Sequence, residues 1–181
     1  MNTHPSFQLE QLTTHHWTQV SRIYQLGIDT GIATFEHTVP AEEKFFTGKI
    51  QNLGYVAVTE DQRVLGWIAA TPVSTRQAYR GVIEHSVYVD PRFSGQGVAN
   101  LLLQKLIEQA TLHGYWMIQC SVFSVNHPSL SLHQKLGFRE VGYRERIAQA
   151  ATGPFAGHWM NTTLCELRLD HLSPASNSSQ H

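Results

Sequence analysis

The chain has 181 residues, 41% of them apolar, and a formal net charge of −1. That is the length of one ordinary domain with enough apolar material for a continuous core, which argues against bulk disorder and against any need for disulfide or metal staples. A charge so near zero gives no general attraction to nucleic acid or to an anionic membrane, so any anion recognition has to be local.

From the start, MNTHPSFQLEQ has neither a basic opening nor an apolar stretch, so no signal peptide is expected. Phe7-Gln8-Leu9 reads as a short strand. Thr13 or Thr14 caps a helix through Trp17, Val20, Ile23, Tyr24 and Leu26, whose spacing is helical. Ala33-Thr34-Phe35-Glu36 breaks the pattern as a loop. Pro40-Ala41-Glu42-Glu43 opens a second helix, with proline early and acids in the first turn. Two apolar runs, Tyr55–Val58 and Val64–Ile68, flank the polar turn Glu60-Asp61-Gln62 and predict a hairpin. A longer strand covers 81–89, a helix follows with Leu101, Leu102, Leu103, Leu106 and Ile107, and another strand spans 117–123. A short helix over 128–136 stops at Gly137. Two strands, about 138–146 and 159–169, close the domain, and the small polar tail SPASNSSQH over 172–181 reads as disordered. The whole is an α/β (α+β) domain over 1–171, with a mixed sheet and helices on both faces. No run approaches the roughly 20 apolar residues of a membrane span.

Cys120 and Cys165 each sit in an apolar, strand-like run, far apart, and are expected as buried free thiols in a reducing, cytoplasmic setting. The eleven histidines contain no HxxxH or HExxH, so no metal site is expected from spacing.

The most informative segment is Ser86-Val87-Tyr88-Val89-Asp90-Pro91-Arg92-Phe93-Ser94-Gly95-Gln96-Gly97-Val98-Ala99-Asn100. An apolar strand ends, a glycine turn follows, and an apolar helix starts at once. Such a turn exposes backbone N–H groups at a helix N-terminus and suits phosphate oxygens. A P-loop needs Lys-Ser or Lys-Thr where Val98-Ala99 stands. A dinucleotide fingerprint needs a third small residue where Asn100 stands and an acid about 20 residues on, near Trp116. An ordinary strand-to-helix connection with no ligand explains the segment alone equally well.

A second motif shifts that balance: Asn126-His127-Pro128-Ser129, then Leu130-Ser131-Leu132-His133-Gln134-Lys135-Leu136-Gly137-Phe138. Together the two elements resemble the GNAT acetyltransferase superfamily, where a pyrophosphate loop Gln/Arg-x-x-Gly-x-Gly/Ala precedes a helix, and a later Asn precedes a helix ending in Leu-Gly-Phe. Ser94 stands at the first loop position, in place of Gln or Arg. Ala33–Glu36, Gly66-Trp67, Arg76-Gln77-Ala78-Tyr79, Glu84–Val89, Leu132-His133 and Gly157-His158-Trp159 are similar to the phosphinothricin and methionine-sulfoximine N-acetyltransferase branch. Residues 144–157 depart from it.

The resemblance implies a mostly antiparallel central sheet with a splay between its two central strands, acetyl-CoA as co-substrate, no metal, a small-molecule amine as acceptor, and a homodimer. Glu84 is then the candidate base, direct or through water, and His133 the acid for the leaving thiolate. A thiol titrates near about 8.5, so a modest acid suffices. Gly95, Gln96, Gly97, Val98, Ala99 and Asn100 are expected at the pyrophosphate, Asn126, Ser129 and Lys135 along the cofactor. Val87, Tyr88 and Val89 are expected at the pantetheine arm, their strand bulged so that N–H groups are free. Phe35, Glu36, Arg76, Gln77, Ala78, Tyr79, Glu84, His85 and Ser86 are expected at the substrate, with Arg76 for its carboxylate. Trp67 and Trp159 are candidates for pocket walls or core. The implied activity is N-acetylation of a small amino-acid-like substrate. A different amino acid, a peptide N-terminus, or a non-catalytic CoA-binding role are the alternatives.

Overall fold

The computed structural model describes residues 6–169. The disorder expected over 172–181 lies outside the described residues. In chain order the elements are β1 (Phe7–Gln11), α1 (Trp17–Asp29), α2 (Glu42–Thr47), β2 (Tyr55–Thr59), β3 (Val64–Pro72), β4 (Val82–Val89), α3 (Val98–Leu112), β5 (Met117–Phe123), α4 (His127–Lys135), β6 (Arg139–Gln149) and β7 (Trp159–Arg168). The seven strands form one sheet in the order β1-β2-β3-β4-β5-β7-β6. Every neighbouring pair is antiparallel except β4–β5.

Helices cover both faces, which is why β2 and most of β3 are buried on every residue rather than on alternate ones. On one face α3 packs Val98, Leu102, Leu103 and Leu106 against Leu65, Ile68, Ile83, Ile118 and Cys120. On the other, α1 contributes Val20 and Ile23, which join Phe45, Val56, Val58 and Trp67. Trp67 is fully buried there, stacked on Tyr88 with ring centroids 4.9 Å apart, so it is core rather than a pocket wall. Trp159 is 58% exposed on β7.

Local rules explain the boundaries. Glu42 and Glu43 occupy the first turn of α2, where acids complement the helix dipole. The Asn126 side chain accepts the Ser129 N–H at 3.2 Å, capping α4, and Pro128 sits in its first turn. Gly137, just past α4, has φ +91°, the left-handed turn glycine adopts without strain.

Two expectations need correction. The β3–β4 register runs unbroken from Gly66↔Val89 to Pro72↔Ile83, so β4 carries no bulge. And β6 continues to Gln149, beyond the expected end at 146, because an irregularity between Arg144 and Ala148 is absorbed at Arg146. Arg146 has φ +48°, and its N–H donates to Asn161 Oδ1 at 2.8 Å, so the ladder resumes beyond it.

Candidate active site

The splay is set by register. β4 and β5 pair only at Val82↔Met117, Ile83↔Ile118 and Glu84↔Gln119. Past Glu84 the two strands share no ladder, and a cavity of about 370 Å³ opens between them. The Asp90 N–H donates to Leu65 C=O at 2.8 Å, and Val82 C=O accepts from Val73, both toward β3. Backbone groups alternate along a strand, so the N–H groups of Val87 and Val89 point the opposite way, into the opening where β5 offers no partner. A straight strand with a lost neighbour therefore frees the groups for which the sequence suggested a bulge.

Side chains alternate too. Glu84, Ser86 and Tyr88 face the α1 side; His85 and Val87 face α3 and α4. On the α1 side Glu84 accepts from Gln119 Nε2 at 3.4 Å. Lys49, just beyond α2, lines the cavity with Glu36 and Glu84 and is, among the described residues, its only Lys or Arg. Burial lowers the Lys49 ammonium from its usual range, and the Glu84 and Glu36 carboxylates partly restore it. Its Nζ lies 5.2 Å from the centre of the Phe45 ring. Tyr24 closes this side, its ring 4.8 Å from that of Tyr88. Burial and then the charge of Glu36 raise its phenol.

On the other side His133 Nδ1 lies 2.6 Å from the Ser129 C=O. A carbonyl only accepts, so Nδ1 carries the proton and Nε2 presents a lone pair. That Nε2 is 3.0 Å from Nε2 of His85, so in the neutral pair the intervening proton sits on His85. Burial and then the neighbouring His133 lower the pKa of His85 to about 3, and burial lowers that of His133. The Gln119 backbone acts weakly the other way on His85 without reaching hydrogen-bond geometry, leaving His85 Nδ1 buried and unpartnered.

Beside the opening, Gly97 caps α3. Leu101 is the first residue whose N–H bonds back, to Gly97 C=O at 3.1 Å, leaving those of Val98, Ala99 and Asn100 free. Gly95 and Gly97 have φ +75° and +82°, and a Cβ on either would meet nothing within 4 Å. The turn is therefore an open cradle of backbone donors, a fit for phosphate oxygens.

Most of the expected residues converge. Phe35, Glu36, Glu84, His85, Ser86, Val87, Tyr88, Asn126, Ser129 and His133 line the cavity. Val89 leads from it toward the glycine turn. Arg76, Gln77, Ala78 and Tyr79 do not line it: they form an exposed turn between β3 and β4, with the Arg76 guanidinium 5.8 Å from the Tyr79 ring centre. Lys135 is exposed at the far end of α4. Asn126 has structural duties, since besides capping α4 it donates to Ile32 C=O at 3.3 Å. The divergent 144–157 segment touches the site indirectly, Phe155 packing with the Phe35–Phe123 pair. Lys49, Tyr24 and Cys120 carried no local signal. Only the register of β4 against β5 and the fold of α1 and α2 bring them here.

The sequence profile of the acetyltransferase (GNAT) family matches residues 17–138. The chain belongs to that family. This GNAT acetyltransferase is 33% identical over 157 residues to a phosphinothricin N-acetyltransferase of Alcaligenes faecalis, covering 83% of this chain and 77% of the relative. It is 33% identical over 127 residues to the L-methionine sulfoximine/L-methionine sulfone acetyltransferase of Salmonella typhimurium, covering 68% of this chain and 71% of that one. Among solved structures, a GNAT superfamily phosphinothricin acetyltransferase from Sinorhizobium meliloti, in complex with AcCoA, superposes with a TM-score of 0.80 at 24% identity over 94% of each chain. The fold is therefore that of the GNAT family.

Proposed function

We propose that this protein transfers the acetyl group of acetyl-CoA to the amino group of a small amino-acid-like substrate, of the phosphinothricin or methionine sulfoximine type. One observation carries the reading: the opening between β4 and β5 puts Glu84 and Lys49 on one side, His133 on the other, and the free N–H groups of Val87 and Val89 between them. The relatives named above support the substrate class.

Acetyl-CoA supplies a thioester, an acyl donor with a thiolate leaving group. The Gly95–Asn100 cradle would hold its pyrophosphate. The N–H groups of Val87 and Val89 would hold the pantetheine arm and stabilise charge on the carbonyl oxygen as the amine adds. Glu84 accepts the proton the amine loses, directly or through water, and His133 would serve the departing sulfur by first taking up a proton from solvent on the Nε2 lone pair and then passing it to the thiolate. Lys49 is placed to meet a substrate carboxylate, and Phe35 and Glu36 border the same space. Amines other than these amino acids remain a second reading, since the cavity selects first for a group between Glu84 and Lys49. We further propose that the domain acts as a cytoplasmic homodimer. Val141, Tyr143 and Ile147 on the edge strand β6, with Trp159 beside them, are exposed apolar side chains suited to such an interface.

Glu84→Gln tests the mechanism. Gln preserves size and much of the hydrogen bonding but accepts no proton. It should lower kcat/KM by about 10²–10⁴ with acetyl-CoA affinity intact. A loss under threefold would remove Glu84 from the chemistry.

A further inference from the structure

Three residues remote in sequence meet at one wall of the cavity: His85 on β4, Cys120 on β5 and His133 on α4. Each is buried, at 6%, 4% and 2% exposure. One donor atom from each lies within 4.8 Å of the others, and the two imidazole Nε2 atoms are 3.0 Å apart. We propose that these three residues bind a thiophilic divalent cation, with Zn2+ the ion they fit, and that its binding shuts off acetyl transfer. The inhibitory consequence rests on the function proposed above; the binding itself does not.

The two nitrogens already stand near the spacing a shared metal requires. Zinc holds His nitrogen at about 2.0–2.1 Å and Cys sulfur at about 2.3 Å in a tetrahedron, which sets two nitrogens about 3.4 Å apart and nitrogen and sulfur about 3.6 Å apart. The imidazoles need to separate by a few tenths of an ångström, and the Cys120 sulfur, which lies within 4.8 Å of the nitrogens, has to settle at zinc spacing from them. The outer shell is half built: metal-bound histidines commonly donate their other N–H to a carbonyl, and His133 Nδ1 already does so to Ser129. His85 has the complementary vacancy. Its Nδ1 is buried without a partner, with the Gln119 backbone close enough to favour a proton on the ring; on metal binding the proton moves from Nε2 to Nδ1 toward that backbone, and both Nε2 lone pairs become ligands. Cys120 releases its thiol proton to solvent as the zinc–sulfur bond forms; nothing is oxidised or reduced. All three residues line the cavity, so an ion has a way in and water completes the fourth position. Cys120 also sits beside Cys165, its cross-strand partner in the core, which with burial pushes its thiol up, so the zinc–sulfur bond has to draw the sulfur out of that contact. Because zinc takes the Nε2 assigned to thiolate protonation, metal binding and turnover exclude one another.

The test reads binding directly, so a chain inactive toward amines would still report on the site. Zn2+ binding is measured by equilibrium dialysis, and Co2+ binding by absorption, on the wild-type protein and on the Cys120→Ala and His85→Ala variants. The wild type should bind one tight Zn2+ per chain and give a thiolate-to-cobalt charge-transfer band. Either substitution should weaken Zn2+ by at least about 100-fold, given that losing even an outer-shell partner costs about 10–100-fold, and Cys120→Ala should abolish the band. If Cys120→Ala fails to fold, the near-isosteric Cys120→Ser replaces it. Equal Zn2+ affinity in wild type and variants, or a cobalt spectrum without the sulfur band, overturns the site and leaves only surface histidines as ligands.

Discussion

Arg76 and Lys49 show what a residue's neighbours in space add to its neighbours in sequence. Arg76 sits in a recognisable Arg-Gln-Ala-Tyr string and attracts the carboxylate role, yet it projects from an exposed turn outside the cavity of this chain. Lys49 sits in no motif, yet its ammonium shares the cavity with Glu36 and Glu84. A zwitterionic substrate would then place its amine at Glu84 and its carboxylate at Lys49. A charge-assisted contact contributes about 1.5–3 kcal/mol, so Lys49→Ala should raise KM about 10- to 100-fold for amino acids. Amines lacking a carboxylate should lose much less, and Arg76→Ala should fall short of Lys49→Ala on the same substrates. Steady-state kinetics on paired substrates decides this. Equal losses for both substrate types would make Lys49 a packing residue.

The element that fixes the site is the β4–turn–α3 junction, and Asp90 holds it. Its side chain is only 1% exposed and takes Arg22 of α1 at 2.6 Å and Arg92 at 2.7 Å. It also accepts the Arg92 backbone N–H at 3.0 Å, closing the turn before the glycines. The Arg92 side chain first, and Arg22 with it, hold this carboxyl far below the usual 3.8. A depressed acid contributes stability that is present above its unfolded pKa and lost as pH falls through that value toward the folded one. The loss therefore starts below about pH 4. Asp90→Asn should cost about 2–3 kcal/mol at pH 7, the arginines remaining hydrated. Its urea midpoint should approach that of wild type at pH 3. Parallel midpoint curves down to pH 3 would contradict this account. The strand, glycine turn and helix here were legible because each obeys a local rule: apolar alternation, positive φ, a leucine stripe. The splay beside them was expected from the family resemblance and not from any residue type, since none announces that β5 stops pairing at Gln119; the bulge expected with it in β4 is not formed.

For the whole molecule, the alternation of strands and helices was readable along the chain, and the family motifs gave the sheet its topology. What stayed hidden were contacts between distant segments. Gly31 and Gly153 meet so closely that a Cβ on Gly31 would lie 2.4 Å from the Thr152 carbonyl oxygen, and the Thr152 hydroxyl donates to Ile28 C=O at 2.5 Å. This joins the end of α1 to the loop between β6 and β7, beneath Phe35. His85, Cys120 and His133 converge by the same folding of three elements onto one point, which explains why spacing rules for metal motifs could not find them. The assembly so built is suited to acetylating amino-acid amines. That is tested most directly by free-thiol release from acetyl-CoA with the purified protein and a panel containing phosphinothricin, methionine sulfoximine, ordinary amino acids, a peptide N-terminus and simple amines. Amine-dependent thiol release is expected, fastest with amino-acid analogues carrying a free carboxylate. Acetyl-CoA binding without thiol release for any amine would contradict it and leave a CoA-binding module in place of an enzyme.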